Sequence, residues 1–110
     1  MSDQINPNQA VDFILKNAKH FAKAKAERVY LEEFRKSKKS LLMKESTEQT
    51  GVAQERDAYA HPEYIALLEG LKTAVETEEQ LKWTLIAAQA RIEIWRSQEA
   101  SNRLQDRAAQ

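Results

Sequence analysis

Residues 67–95 read "LLEGLKTAVETEEQLKWTLIAAQARIEIW". Leu67, Leu71, Ala74, Glu78, Leu81, Leu85, Ala88, Ile92 and Trp95 follow one another at alternating spacings of four and three. That alternation keeps every member on one side of an α-helix and is the repeat of a coiled-coil seam. Glu78 is its one polar interruption. Gly70 costs about 1 kcal/mol inside a helix, which the flanking leucines offset. The pattern begins at Pro62, whose missing N–H suits a first helical position, and runs to about Arg107. A helix over 62–107 is roughly 70 Å long at 1.5 Å per residue.

A helix of that length needs a partner for its seam. Working backwards, "NPNQ" at 6–9 opens a first helix, with Asn6 as N-cap and Pro7 as first helical residue. From there to Gln49 no Gly or Pro intervenes, and Gly51 is the natural stop. Val11, Leu15, Ala18 and Ala22, then Tyr30, Phe34 and Leu41, recur at helical spacing and mark the expected core face. The polar stretch between, about 50–61, reads as a connection with a short helical turn at 54–60. The expected fold is all-α: helices over about 7–49 and 62–107 in one antiparallel, coiled-coil-like helical hairpin, forming a single domain over 1–110.

Composition supports this class. The 110 residues hold only two glycines and two prolines, and 31 % are charged, which suits long helices with much solvated surface. No cysteine is present, so disulfides and thiolate zinc sites are excluded. The first residues carry no basic and apolar leader pattern, and no apolar run approaches spanning length, so no membrane role and a cytoplasmic location are expected.

Two helices bury only one stripe each. Tyr64, Leu68, Val75, Trp83, Ile86 and Ile94 lie off the main seam, and this second apolar face predicts an interface between subunits of a homo-oligomer.

The formal net charge is zero, but it is segregated. Residues 13–44 hold ten Lys/Arg against three Glu, whereas 45–82 hold nine Asp/Glu against three Lys/Arg. "RKSKKSLLMKES" at 35–46 is the densest cationic run. On a helical projection Lys25, Arg28, Arg35, Lys36 and Lys39 fall inside an arc of roughly 100°, with Lys38 and Lys44 at its margins. Glu32 lies within the same arc. Two readings follow. The cations contact the phosphates of single-stranded DNA, or they pair with the acidic stretch of the second helix and line a solvated face.

No arrangement for catalysis is evident. His20 and His61 are the only histidines and lie on different elements, and neither has Asp, Glu or Cys at metal-ligand spacing in an inward-facing arrangement. No phosphate loop and no nucleophile motif occurs. The chain reads as a non-enzyme with no cofactor and no bound metal.

The Lys-rich helix with "KKSLLMK", the connection with "ERDAY" and the long helix with "LKWTLIAAQARIEIWRSQEASNRLQDR" together resemble the UvsY-type recombination mediators of tailed phages. The resemblance covers roughly residues 20–107. It implies a closed homo-oligomer, such as a ring, that binds single-stranded DNA. It further implies that this oligomer loads a RecA-like recombinase in place of a single-strand-binding protein, in the cytoplasm of a bacterial host. Lys38, Lys39 and Leu41-Leu42 match the family's K-K-x-x-L segment, and Lys44 lies near its next cation. Glu45 and Ser46 stand where the family carries a further Arg. The competing expectation is a protein-interaction module: an assembly chaperone, a scaffold or an inhibitor of a host complex.

Overall fold

The computed structural model describes residues 4–109, and these form three helices and no strand. They are α1 (Pro7–Glu45), α2 (Gly51–Ala60) and α3 (Pro62–Ala109). The all-helical class is therefore as expected, with one more helix than the sequence suggested.

Each start is set by a cap. The Asn6 Oδ1 accepts the N–H groups of Asn8 and Gln9 at 3.0 and 3.2 Å, which opens α1. The first helix ends at Glu45, four residues before the expected stop. Beyond it the Ser46 N–H donates to the Met43 carbonyl at 3.1 Å, and the Ser46 hydroxyl is shared between the Asp57 carboxylate and the Glu48 N–H. Gly51 is not the stop of α1 but the first residue of α2, because the Thr50 hydroxyl accepts the Ala53 N–H at 3.1 Å and caps a new helix there. The connection expected over 50–61 is thus almost wholly helical.

His61 alone separates α2 from α3. Its N–H donates to the Ala58 carbonyl, closing α2, while its Nδ1 accepts the Glu63 N–H at 3.0 Å, opening α3. Pro62 occupies the first position of α3, where a missing donor costs nothing.

The chain divides into two compact units: residues up to Phe21 together with those from Gln80 onward, and Ala22–Glu79. In the second, the seam residues of α3 are Tyr64, Leu67, Leu71, Ala74 and Glu78, all buried or half-buried. Facing positions on α1 are Ala24, Arg28, Leu31, Arg35, Lys38 and Leu42, spaced alternately four and three. Leu42, Ala58 and Tyr64 form its tightest cluster, one residue from each helix, with Met43 against it. Ala58, on α2, is fully buried.

In the other unit α3 buries or half-buries Leu81, Leu85, Ala88, Ile92 and Trp95, and α1 does so with Ala10, Ile14, Asn17 and Phe21. The expected core face of α1 is thereby corrected. Val11, Ala18 and Ala22 are exposed, Leu15 is 71 % exposed and Tyr30 61 %. The true seam runs beside them and is interrupted by Asn17, Arg28, Arg35 and Lys38, so a search for apolar stripes selects the flank instead.

Candidate nucleic-acid interface

The seven cations singled out on α1 are dispersed by the fold into three groups, with Lys36 belonging to both the second and the third. Arg28 and Lys38 are seam residues. The Arg28 guanidinium grips Glu78 with two nitrogens, Nε on Oε2 and Nη2 on Oε1 at 3.1 Å, and a third nitrogen reaches Glu32 at 2.9 Å. Hydrogen bonds donated to Glu78 first, then to Glu32, hold its pKa above even the usual arginine value. The Lys38 ammonium sits 2.9 Å from Glu63, in the first turn of α3. That bond and the ammonium's charge hold the Glu63 carboxyl below its ordinary range. Both cations are turned toward acidic partners within the chain, which corrects the placement of Arg28 on an outward stripe; Lys38 was expected at the margin of that stripe. Arg28 thus answers Glu78, the polar interruption of the α3 seam.

Lys25, Lys36 and Lys44 form the second group and are exposed. Lys36 reaches Glu33 at 3.5 Å, a surface contact in which both side chains stay largely in water and which contributes little. Lys25 and Lys36 share one flank of α1, whereas Lys44 lies about 100° round the helix from Lys25.

The third group is a surface groove in the Ala22–Glu79 unit. Arg35, Lys36 and Lys39 of α1 face Glu55 and Tyr59 of α2 across it, with Tyr64 of α3 at its base. Its volume is about 610 Å³. The Lys39 ammonium lies 4.8 Å from the centre of the Tyr59 ring and 3.4 Å from the Glu55 carboxylate. Hydrogen bonding to Tyr59, then to Glu55, holds its pKa above the ordinary lysine value against the opposing effect of partial burial. Tyr59 in turn meets Tyr64 edge-on, with centroids 5.3 Å apart and planes at 69°. Glu55 and Tyr59 escaped the sequence reading because their segment passed for a connection. Thr50, a capping residue ahead of an alanine-containing run, was the available signal.

The expected oligomer face is also redistributed. Tyr64 is 7 % exposed and packs inside its own chain against Leu42 and Ala58, so it is withdrawn from the subunit interface. Leu68, Val75, Ile86 and Ile94 are exposed on α3, and Trp83 is 60 % exposed, with the Lys82 ammonium over its ring at 5.8 Å.

Folding also gathers Glu45, His61 and Glu63, whose nearest ligand atoms lie within 4.8 Å of one another. No acid had been expected at ligand spacing from His61. Because the His61 Nδ1 accepts the Glu63 N–H, the ring proton sits on Nε2, the nitrogen 3.7 Å from the Glu63 carboxylate. The trio is thus a helix cap with a neighbouring acid, and its imidazole presents no lone pair to a cation.

No helix of the described residues is long and apolar enough to cross a membrane. Comparison with protein-family models, curated proteins and solved structures found no match for this chain.

Proposed function

We propose that this chain is a non-enzymatic, single-stranded-DNA-binding protein that works as a homo-oligomer in the manner of a recombination mediator, loading a RecA-like recombinase in the bacterial cytoplasm. The observation that carries the reading is the cationic flank of α1, where Lys25 and Lys36 are exposed and Arg35 and Lys39 open onto the groove beside them. The layout shared with the UvsY-type mediators supports it. Pairing of Arg28 with Glu78 and of Lys38 with Glu63 has residue numbers rising on one helix as they fall on the other, which favours an antiparallel hairpin. Exposed Leu68, Val75, Trp83, Ile86 and Ile94 favour self-association, and association would repeat the flank and raise avidity.

The test is fluorescence anisotropy with a labelled oligo-dT strand over a range of salt. Binding is expected to weaken with a log–log slope of about −0.7 per phosphate neutralised. Exchanging Lys25 and Lys36 together for Ala flattens that slope by about 1.4 per engaged subunit and leaves helicity intact. An unchanged slope rejects the DNA reading.

A second reading, the protein-interaction module, draws on a specific observation: Arg28 and Lys38 are spent on acids of the same chain, so part of the charge segregation serves folding. Affinity capture with and without nuclease separates the two. A nuclease-resistant partner favours the module, and a nuclease-sensitive one favours DNA.

A further inference from the structure

The α1–α2 groove has the composition of a site for one nucleotide rather than for phosphate alone. It combines cations with an aromatic ring whose orientation is fixed. Tyr64, buried in the core, presses edge-on against Tyr59 and sets that ring's plane, so α2 presents it without further ordering. Tyr59 itself is 45 % exposed. A base can stack on a preset ring at little entropic cost, and stacking tolerates any base because every base has a π-face. Arg35 and Lys36 stand on the same groove wall and supply charge for flanking phosphates.

Lys39 is the unusual member. Its ammonium is latched between the Tyr59 ring and the Glu55 carboxylate. A phosphate entering the groove competes with Glu55 for that ammonium, and a base competes with the ammonium for the ring face. Resting on the single-stranded-DNA reading above and deepening it, we propose that this groove is a nucleotide subsite: Tyr59 stacks a base, Lys39 transfers from Glu55 to the adjoining phosphate, and Glu55 acts as a built-in competitor that weakens binding.

This assigns opposite signs to neighbouring residues, which a merely basic surface does not. Labelled oligo-dT and an abasic strand of equal length and charge are titrated against the intact chain and its variants by anisotropy. Tyr59→Leu is expected to weaken oligo-dT binding about tenfold with the salt slope unchanged, since stacking releases no counterion. The abasic strand should bind the parent about as weakly as oligo-dT binds Tyr59→Leu, and should be insensitive to that substitution. Tyr59→Phe, which keeps the ring and its packing on Tyr64, should retain parental affinity, and a circular-dichroism melt of Tyr59→Leu that matches the parent's separates lost stacking from a folding defect. Glu55→Gln should tighten both strands, because it frees Lys39 for phosphate. If the parent binds oligo-dT but Tyr59→Leu and Glu55→Gln both match it, the subsite is overturned while DNA binding stands. If Glu55→Gln weakens binding, the competitor role is overturned. If the parent binds neither strand, the DNA reading fails and the subsite with it.

Discussion

Arg28 and Glu78 stand fifty residues apart in sequence and face each other from seam positions of α1 and α3, where Glu78 is the one polar interruption of the α3 repeat and Arg28 is one of several polar residues on the α1 seam. Glu78 is only 8 % exposed. A carboxylate so covered is stable there only with its charge answered, and a misregistered pairing that set Glu78 against Leu31 or Leu42 would leave that charge opposite an apolar residue. The pair thus acts as a register pin.

Its removal should show the asymmetry of buried ion pairs. Arg28→Leu deprives Glu78 of the guanidinium and should lower the melting temperature. Glu78→Leu should lower it less, because Arg28 keeps Glu32 at 2.9 Å. The double variant Arg28→Leu, Glu78→Leu should melt at or above the parent, since two apolar groups replace two desolvated charges. Thermal unfolding followed by circular dichroism reads all three. A double variant no more stable than Arg28→Leu alone would refute the pin.

Gly70 offers a gain in stability. It lies inside α3 with no positive φ, and a methyl group added there meets nothing within 4 Å. Gly70→Ala should therefore stabilise the chain by about 1 kcal/mol, through helix propensity and a less flexible unfolded chain. Urea unfolding should show a higher midpoint with an unaltered slope. A lower midpoint would mean that a bend or a neighbouring subunit uses the open space beside the glycine.

Acid should weaken the Lys38–Glu63 contact in a defined window. Lys38 lowers the Glu63 carboxyl from its ordinary 4.5, so the folded state holds its proton less tightly than the unfolded state does. The resulting stabilisation is present above the unfolded value and is lost as pH falls through the lower folded value. The stability difference between the parent and Glu63→Gln should thus be constant near neutrality and shrink below about pH 4.5. A difference that grows on acidification would show that another group carries the effect.

The seam of α3 was legible because leucine and isoleucine fill most of its positions, so periodicity and hydrophobicity agree. On α1 they disagree. Asn17, Arg28, Arg35 and Lys38 occupy seam positions while Val11, Leu15 and Tyr30 stand outside, and a reading that equates buried with apolar takes the wrong flank. The same shift decides the candidate site. Lys25 and Lys36 lie on an exposed flank, as the helical projection implies, but Arg28 lies on the seam rather than the stripe, and Lys38, at the stripe's margin, lies on the seam as well. The helix over Gly51–Ala60 was hidden for a different reason. It is polar, short and held by tertiary packing of Ala58 and by one threonine cap, and propensity summed over ten residues is too weak to announce it. With α2 unseen, Tyr59 had no surface to belong to.

The single-residue joint at His61 has a mechanical consequence. Most helix–helix connections contain several residues whose torsions absorb a small displacement of either neighbour. Here the residue that terminates α2 also initiates α3, through its N–H on one side and its ring nitrogen on the other. The two helices are geared: α2 cannot roll about its axis without turning the first residues of α3 or breaking one of those two bonds. A displacement of Tyr59, two residues before the joint, therefore has only the torsions of Ala60 and His61 between it and the start of the long helix.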